Sequence, residues 1–111
     1  MYATLTVAGL RTHDGVPTLE QMQEAVDGYI ETALRIPSSR DGITIDFFCN
    51  DMGLLDGLPF LFTRTSDGQP IAGNLIATGG EVETGETVAL VDADFPLIVR
   101  AFRPFTPEDL P

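Results

Sequence analysis

The segment TLEQMQEAVDGYIETALR, residues 18–35, constrains the fold more than any other part of this chain. Thr18 has the side chain of a helix N-cap, and Gln21 stands where it completes a capping box. Leu19, Met22, Val26, Tyr29, Ile30 and Ala33 then recur at spacings of three and four, which puts them in one helical stripe. Pro37 and SSRDG end the pattern. The expectation is an amphipathic helix over 18–35 that must bury its stripe on something flat. Gly28 lies inside it at a cost of roughly 1 kcal/mol against alanine. It fits a close backbone crossing over a strand or a local break, and the crossing is favoured.

Other segments offer the flat surface. YATLTVA (2–8) alternates, with Ala3, Leu5 and Val7 on one side. THDGVP (12–17) reads as a turn. ITIDFF (43–48) sets Ile43, Ile45 and Phe47 against Thr44 and Asp46. FLFTRT (60–65) reads as a short strand closed by SDGQP, and IAGNLIAT (71–78) and TVALV (87–91) as two more around GGEVETGE. In DADFPLIVRAF (92–102), Asp92 fits a helix cap and Pro96 a first helical turn, while Ile98 and Val99 also suit an edge strand; a helix is favoured. TPEDLP (106–111) reads as a solvated end. The fold class that follows is α+β: a single small domain over 1–111, with a mixed or antiparallel sheet of about four or five strands and one amphipathic helix packed on a face. A length of 111 residues leaves no room for a second core.

Charge narrows the function. Seventeen acids face six basic residues, all arginine, for a formal net charge of −11 at pH 7. Such a chain is repelled by nucleic acid and anionic membranes, and its charged partners are basic surfaces or cations. An organism-wide acidic bias gives the same composition. No apolar run approaches the ~20 residues of a membrane span, and no basic segment followed by an apolar one marks a signal peptide. The single cysteine, Cys49, excludes an internal disulfide and a paired-cysteine zinc site, and fits a cytoplasmic setting.

Catalytic motifs are few. Gly80, Gly85 and Thr87 fall on the spacing of a phosphate-binding loop, but Glu86 replaces the lysine that meets the phosphates. Glu81 and Glu83 add repulsion, and the strand-like VALV follows where a helix is required, so a hairpin loop is expected. His13 is the only histidine, in a turn. Cys49 follows Ile43, Ile45 and Phe47 on the buried side of a strand and reads as a small apolar residue. Asp92 and Asp94 form an Asp-x-Asp that suits a cation or a helix cap equally. No metal motif and no cofactor is implied, and the expectation is a protein that is not an enzyme.

One charged feature stands above background. On a helix over 18–35, Glu20, Glu24, Asp27 and Glu31 fall within roughly 60° of one another, opposite the apolar stripe. Such a row is either a solvated face or a contact surface spaced somewhat like backbone phosphates, able to enter the groove of a basic protein.

The stretch CNDMGLLDGLPF (49–60) reads as a corner: Asn50 and Asp51 follow a strand, Gly53 turns the chain, and Leu54, Leu55 and Leu58 return to the core. Together with LEQMQEAVDGYIE (19–31) and IAGNLIATGG (71–80) it resembles the DUF3846 family of small domains of unknown function. The matching positions are Gly28, Tyr29, Ile30 and Glu31, then Asn50, Asp51 and Gly53, then Leu58 and Pro59, then Gly73. The resemblance covers 18–91 and leaves 92–111 as a C-terminal extension. Phe60 and Leu61 stand where the family often has an asparagine. The resemblance brings no catalytic residues. It implies an accessory product of a phage, plasmid or conjugative element, often near anti-restriction genes.

The functional expectation is a non-enzymatic protein that binds a basic, nucleic-acid-handling host protein through Glu20, Glu24, Asp27 and Glu31, as an anti-defence or regulatory factor acting by charge mimicry. The alternatives are a small-ligand or cation-binding domain using Asn50, Asp51, Asp92 or Asp94, and a homodimeric assembly protein with no charged partner.

Overall fold

The computed structural model describes residues 1–110. Tyr2–Thr6 (β1) and Gly9–His13 (β2) form a hairpin, so part of the segment read as a turn is strand. The helix α1 follows at Leu19–Val26, then strands Ile30–Pro37 (β3) and Ile43–Asn50 (β4). Strands β5 (Phe60–Arg64), β6 (Pro70–Ala72), β7 (Leu75–Glu81) and β8 (Thr87–Val88) come next. A 3-10 turn at Asp92–Asp94 leads into helix α2 (Phe95–Ala101), with Pro96 in its first turn, and strand β9 (Phe102–Pro104) closes the core.

The strands make two antiparallel sheets. The larger runs β2-β1-β7-β4-β3, with β8 also on β7; the smaller runs β6-β5-β9. The α+β expectation holds, with nine strands in two sheets among the described residues against an expected four or five. IAGNLIAT is one run of sequence but two strands. Gly73, at φ 82°, turns the chain from the smaller sheet into the larger.

The main core lies between the sheets. Ala3, Leu5, Ile45, Phe47, Leu75 and Ala77 of the large sheet meet Ile71, Phe102 and Ile98 of the small sheet and α2. Phe47 and Phe102 pack edge to face at 5.1 Å. Helix α2 and strand β9 are therefore built into the domain, because Ile98 and Phe102 complete this core.

The opposite face of the large sheet carries α1, whose Met22 and Val26 bury on Ile76, Phe48, Ile30 and Tyr2. An isolated helix of 8 residues is unstable in water. Burial of Met22 and Val26, worth about 2 kcal/mol each, and the Thr18–Gln21 capping box hold it. The helix ends much earlier than its periodicity suggested. Asp27 takes the left-handed conformation at φ 61° and closes it, and residues from Ile30 on are strand. Gly28 thus marks a break. Its close approach is to the Asn50 side chain at the end of β4, since a Cβ there would stand 2.5 Å from Asn50 Nδ2.

This geometry dissolves the single acidic row. Glu20 and Glu24 are on α1, Asp27 is its C-cap, and Glu31 lies on β3, on the face of the sheet opposite to α1. The glycine-rich segment is a hairpin turn between β7 and β8, with Glu81 N–H donating to the Glu86 carbonyl at 2.9 Å.

Candidate functional site

The residues that carry the family resemblance meet in one place. The Asn50 amide donates to the last carbonyls of α1, Val26 O at 3.1 Å and Asp27 O at 3.0 Å. Its Oδ1 accepts the Met52 N–H at 2.8 Å, so one side chain ties the helix end to the loop beyond β4. Gly28 leaves the space that this amide occupies. Asp51 N–H donates to Tyr29 O at 3.0 Å. Gly53 packs flat on Ala72, where a Cβ would lie 3.2 Å from its methyl. Leu58 covers Gly73, whose N–H donates to Pro59 O at 2.8 Å. The outcome is a fixed bracket. Asn50 is buried and its amide fully engaged, so it serves the fold and is not free to hold a ligand.

The bracket displays the loop 51–58. Hydrogen bonds from Asp56 N–H to Met52 O (2.8 Å) and from Leu58 N–H to Gly53 O (2.9 Å) wind it into one tight turn. Leu58 folds inward as read from the sequence, but Leu54 and Leu55 do not: they are 68% and 80% exposed. Tyr29 and Met52, on the neighbouring surface, are exposed as well.

Beneath this loop lies a cleft of about 390 Å³, at the mouth between the two sheets. Glu31 and Thr32 of β3 form one wall, Gln69 and Pro70 before and in β6 the other, and Cys49 the floor. Arg64 crosses it. Its guanidinium grips Asp67 through two bonds, at 2.9 and 2.7 Å, and also donates to Ala33 O on β3. The hydrogen bond from Arg64 holds Asp67 down at about 2. With Arg64 neutralised in this way, Glu31 and Asp51 leave the cleft negative.

Cys49 is 5% exposed, and its thiol is pushed up to about 11, first by burial and then by the adjacent Glu31 carboxylate, to which it donates at 3.8 Å. The thiolate that a nucleophile requires is scarce at neutral pH. His13 sits on the α1 side of the large sheet, stacked on Tyr2 and bonded to Thr4 Oγ1 at 2.9 Å, and does not approach Cys49.

The four alternative ligand residues do not converge. Asn50 and Asp51 stand at the end of β4, while Asp94 braces the 38–43 turn at its start; a strand of 8 residues spans roughly 24 Å. Asp94 is fully buried and accepts from Ser38 Oγ (2.6 Å), Ser39 N–H (2.9 Å), Ser39 Oγ (2.9 Å) and Val91 N–H (3.1 Å). Burial raises its carboxyl, but these bonds outweigh that and keep it below the ordinary range. Its role is structural, and Asp92 beside it is simply exposed. Among the described residues no group of three or more His, Cys, Asp or Glu is placed to hold a metal.

Sequence reasoning missed Arg64, Leu54 and Leu55. A leucine pair between Gly53 and Gly57, next to Asp51 and Asp56, was the available signal, since such flanks favour a surface turn.

The sequence model of a family described as a domain of unknown function, DUF3846, matches residues 6–103. No curated protein and no solved structure matches the chain. Among the described residues no helix is long and apolar enough to cross a membrane.

Proposed function

This chain belongs to the DUF3846 family, whose description assigns no activity, and from its surface we propose a non-enzymatic binding module for a basic protein partner. The contact surface is the 51–58 loop together with the cleft under it. The observation that carries this reading is the display of Leu54 and Leu55, 68% and 80% exposed, on a loop fixed at both ends. Apolar side chains held rigidly in solvent are what a docking surface requires, because little ordering entropy is lost on binding. Glu31 and Asp51 beside them, neither matched by a cation among the described residues, favour a partner with lysine or arginine around an apolar anchor. Of the acidic row, Glu31 stays at this surface; Glu20 and Glu24 add only to the long-range field that draws a basic partner in.

Within this proposal the chain is an accessory protein of a phage or mobile element acting in the host cytoplasm, the setting that the family resemblance implies. The high proton affinity of Cys49 and its separation from His13 support a binding role over nucleophilic catalysis.

The test is affinity capture with three immobilised proteins: wild type, Leu54→Asp/Leu55→Asp, and Glu31→Gln/Asp51→Asn. Basic proteins are expected on the wild type at low salt, and loss of the same proteins from both variants. Equal retention on all three would end the reading. A second reading rests on the cleft itself, whose volume suits a small molecule. A thermal-shift screen across metals and nucleotides tests it, and no shift with any of them counts against it.

A further inference from the structure

Strand β3 is an outer edge of the large sheet, and its two halves differ. The second half is closed to pairing. The register slips between Thr32 and Leu34, Arg64 occupies the Ala33 carbonyl, Arg35 is turned to Asp46, and Pro37 has no N–H. Bulges, charges and proline are the devices that keep sheet edges from recruiting strands. The first half has neither a bulge nor a proline, and its one charge, Glu31, is directed into the cleft. Asp51 N–H bonds to Tyr29 O, so Tyr29 and Asp51 face each other as a hydrogen-bonded pair. Antiparallel pairs alternate, and Ile30 and Thr32 therefore turn their N–H and C=O groups away from β4. Among the described residues no other element bonds to them.

This open half-edge lies beside the cleft and the exposed leucines. Glu31, between the two outward residues, points its carboxylate into the cleft beside Cys49. We propose that the partner binds as an added strand: an extended basic segment pairs with Ile30 and Thr32, sends a lysine or arginine toward Glu31, and ends at the Ala33 bulge. The strand supplies backbone pairing and the cleft supplies side-chain choice. A basic occupant is selected because Arg64, the one cation in the cleft, is already held by Asp67. This inference rests on the binding role proposed above and specifies its mode.

The probe is a fluorescent, acetylated octapeptide of alternating arginine and valine, with alternating glutamate and valine as control and an arginine–leucine helical peptide of equal charge as comparison. The wild-type protein is expected to bind the first by anisotropy, reject the second, and bind the third about tenfold or more weakly. Two N-methylated versions of the first peptide decide the mode without altering the protein. Methylating the alternate amides that face β3 is expected to weaken binding about tenfold or more, and methylating the other set to have little effect. Amide exchange is expected to slow at Ile30 and Thr32 on binding. If both methylated peptides bind equally, or those amides stay unprotected while the peptide is bound, strand addition is wrong and the basic binding surface remains. If no basic peptide binds in either conformation, both readings fall.

Discussion

Asn50 connects three segments through one side chain, and its partner in this is a residue with no side chain at all. The amide reaches the α1 carbonyls only because Gly28 leaves the space. Gly28→Ala is expected to destabilise the fold by about 2 kcal/mol, since its Cβ must displace Asn50, and Asn50→Ala by a similar amount through the freed carbonyls. The double variant should fall well short of the sum in urea titrations, because either change alone empties the same bracket. Full additivity would show that the two residues act independently. Asp94 poses a separate question of sign. Its carboxyl is held below the ordinary range, as are those of Asp67 and Asp109 through their arginines. Groups depressed in the folded state add stability that is complete above their unfolded pKa of about 3.9 and fades as pH falls through the folded value. Stability is thus expected to be level near neutrality and to drop below about pH 4. Asp94→Asn should cost about 2 kcal/mol at pH 7 and make the acid limb shallower, since an amide nitrogen now faces a donor. An unchanged limb would mean that other carboxylates set it.

Elements differ in how far the sequence announces them. The start of α1 was legible because its cap is local: Thr18 and Gln21 bond across three residues as their spacing requires. Its end was not. Tyr29, Ile30 and Ala33 continue the helical spacing of Met22 and Val26, yet Ile30, Thr32, Leu34 and Ile36 also alternate as a strand, and long-range pairing with β4 decided between them. In the sequence Asp27 is one more acid of the row, whereas its left-handed backbone is what stops the helix. Strand β9 is short and its partner β5 is distant, so nothing local marked it, whereas β2 pairs with its neighbour β1 but carries Leu10 as its only apolar side chain. The corner at 49–60 was legible as a turn from Asn50, Asp51 and its glycines, but which leucines turn inward depends on Gly73, whose missing side chain makes room for Leu58 alone. The display of the other two leads to a prediction for the loop. Leu54→Asp/Leu55→Asp is expected to change folding stability by no more than about 0.5 kcal/mol per site while removing partner binding. A loss of several kcal/mol in thermal or urea unfolding would show that these leucines serve the core.

At the scale of the molecule, charge acts on folding and binding with opposite signs. The chain carries a net −11 within extents of 36 × 26 × 25 Å, and among the described residues three acid–arginine pairs relieve it. At about 10 mM salt the screening length is ~30 Å, so every carboxylate feels every other; near 150 mM it is ~8 Å and only neighbours interact. Raising sodium chloride between those limits should therefore raise the melting temperature by several degrees, as self-repulsion is screened. The same change should weaken a complex with a basic partner, because it screens the attraction that favours it. Measuring both on one protein separates the two effects that composition alone confounds. An organism-wide acidic bias predicts the first response without the second. A basic partner held through Glu31 and Asp51 predicts both, and Glu31→Gln/Asp51→Asn should flatten the salt dependence of binding while leaving that of melting nearly as it was. If melting fell with salt instead, the three ion pairs would outweigh the repulsion, and the field that draws a basic partner to this surface would be weaker than its formal charge implies.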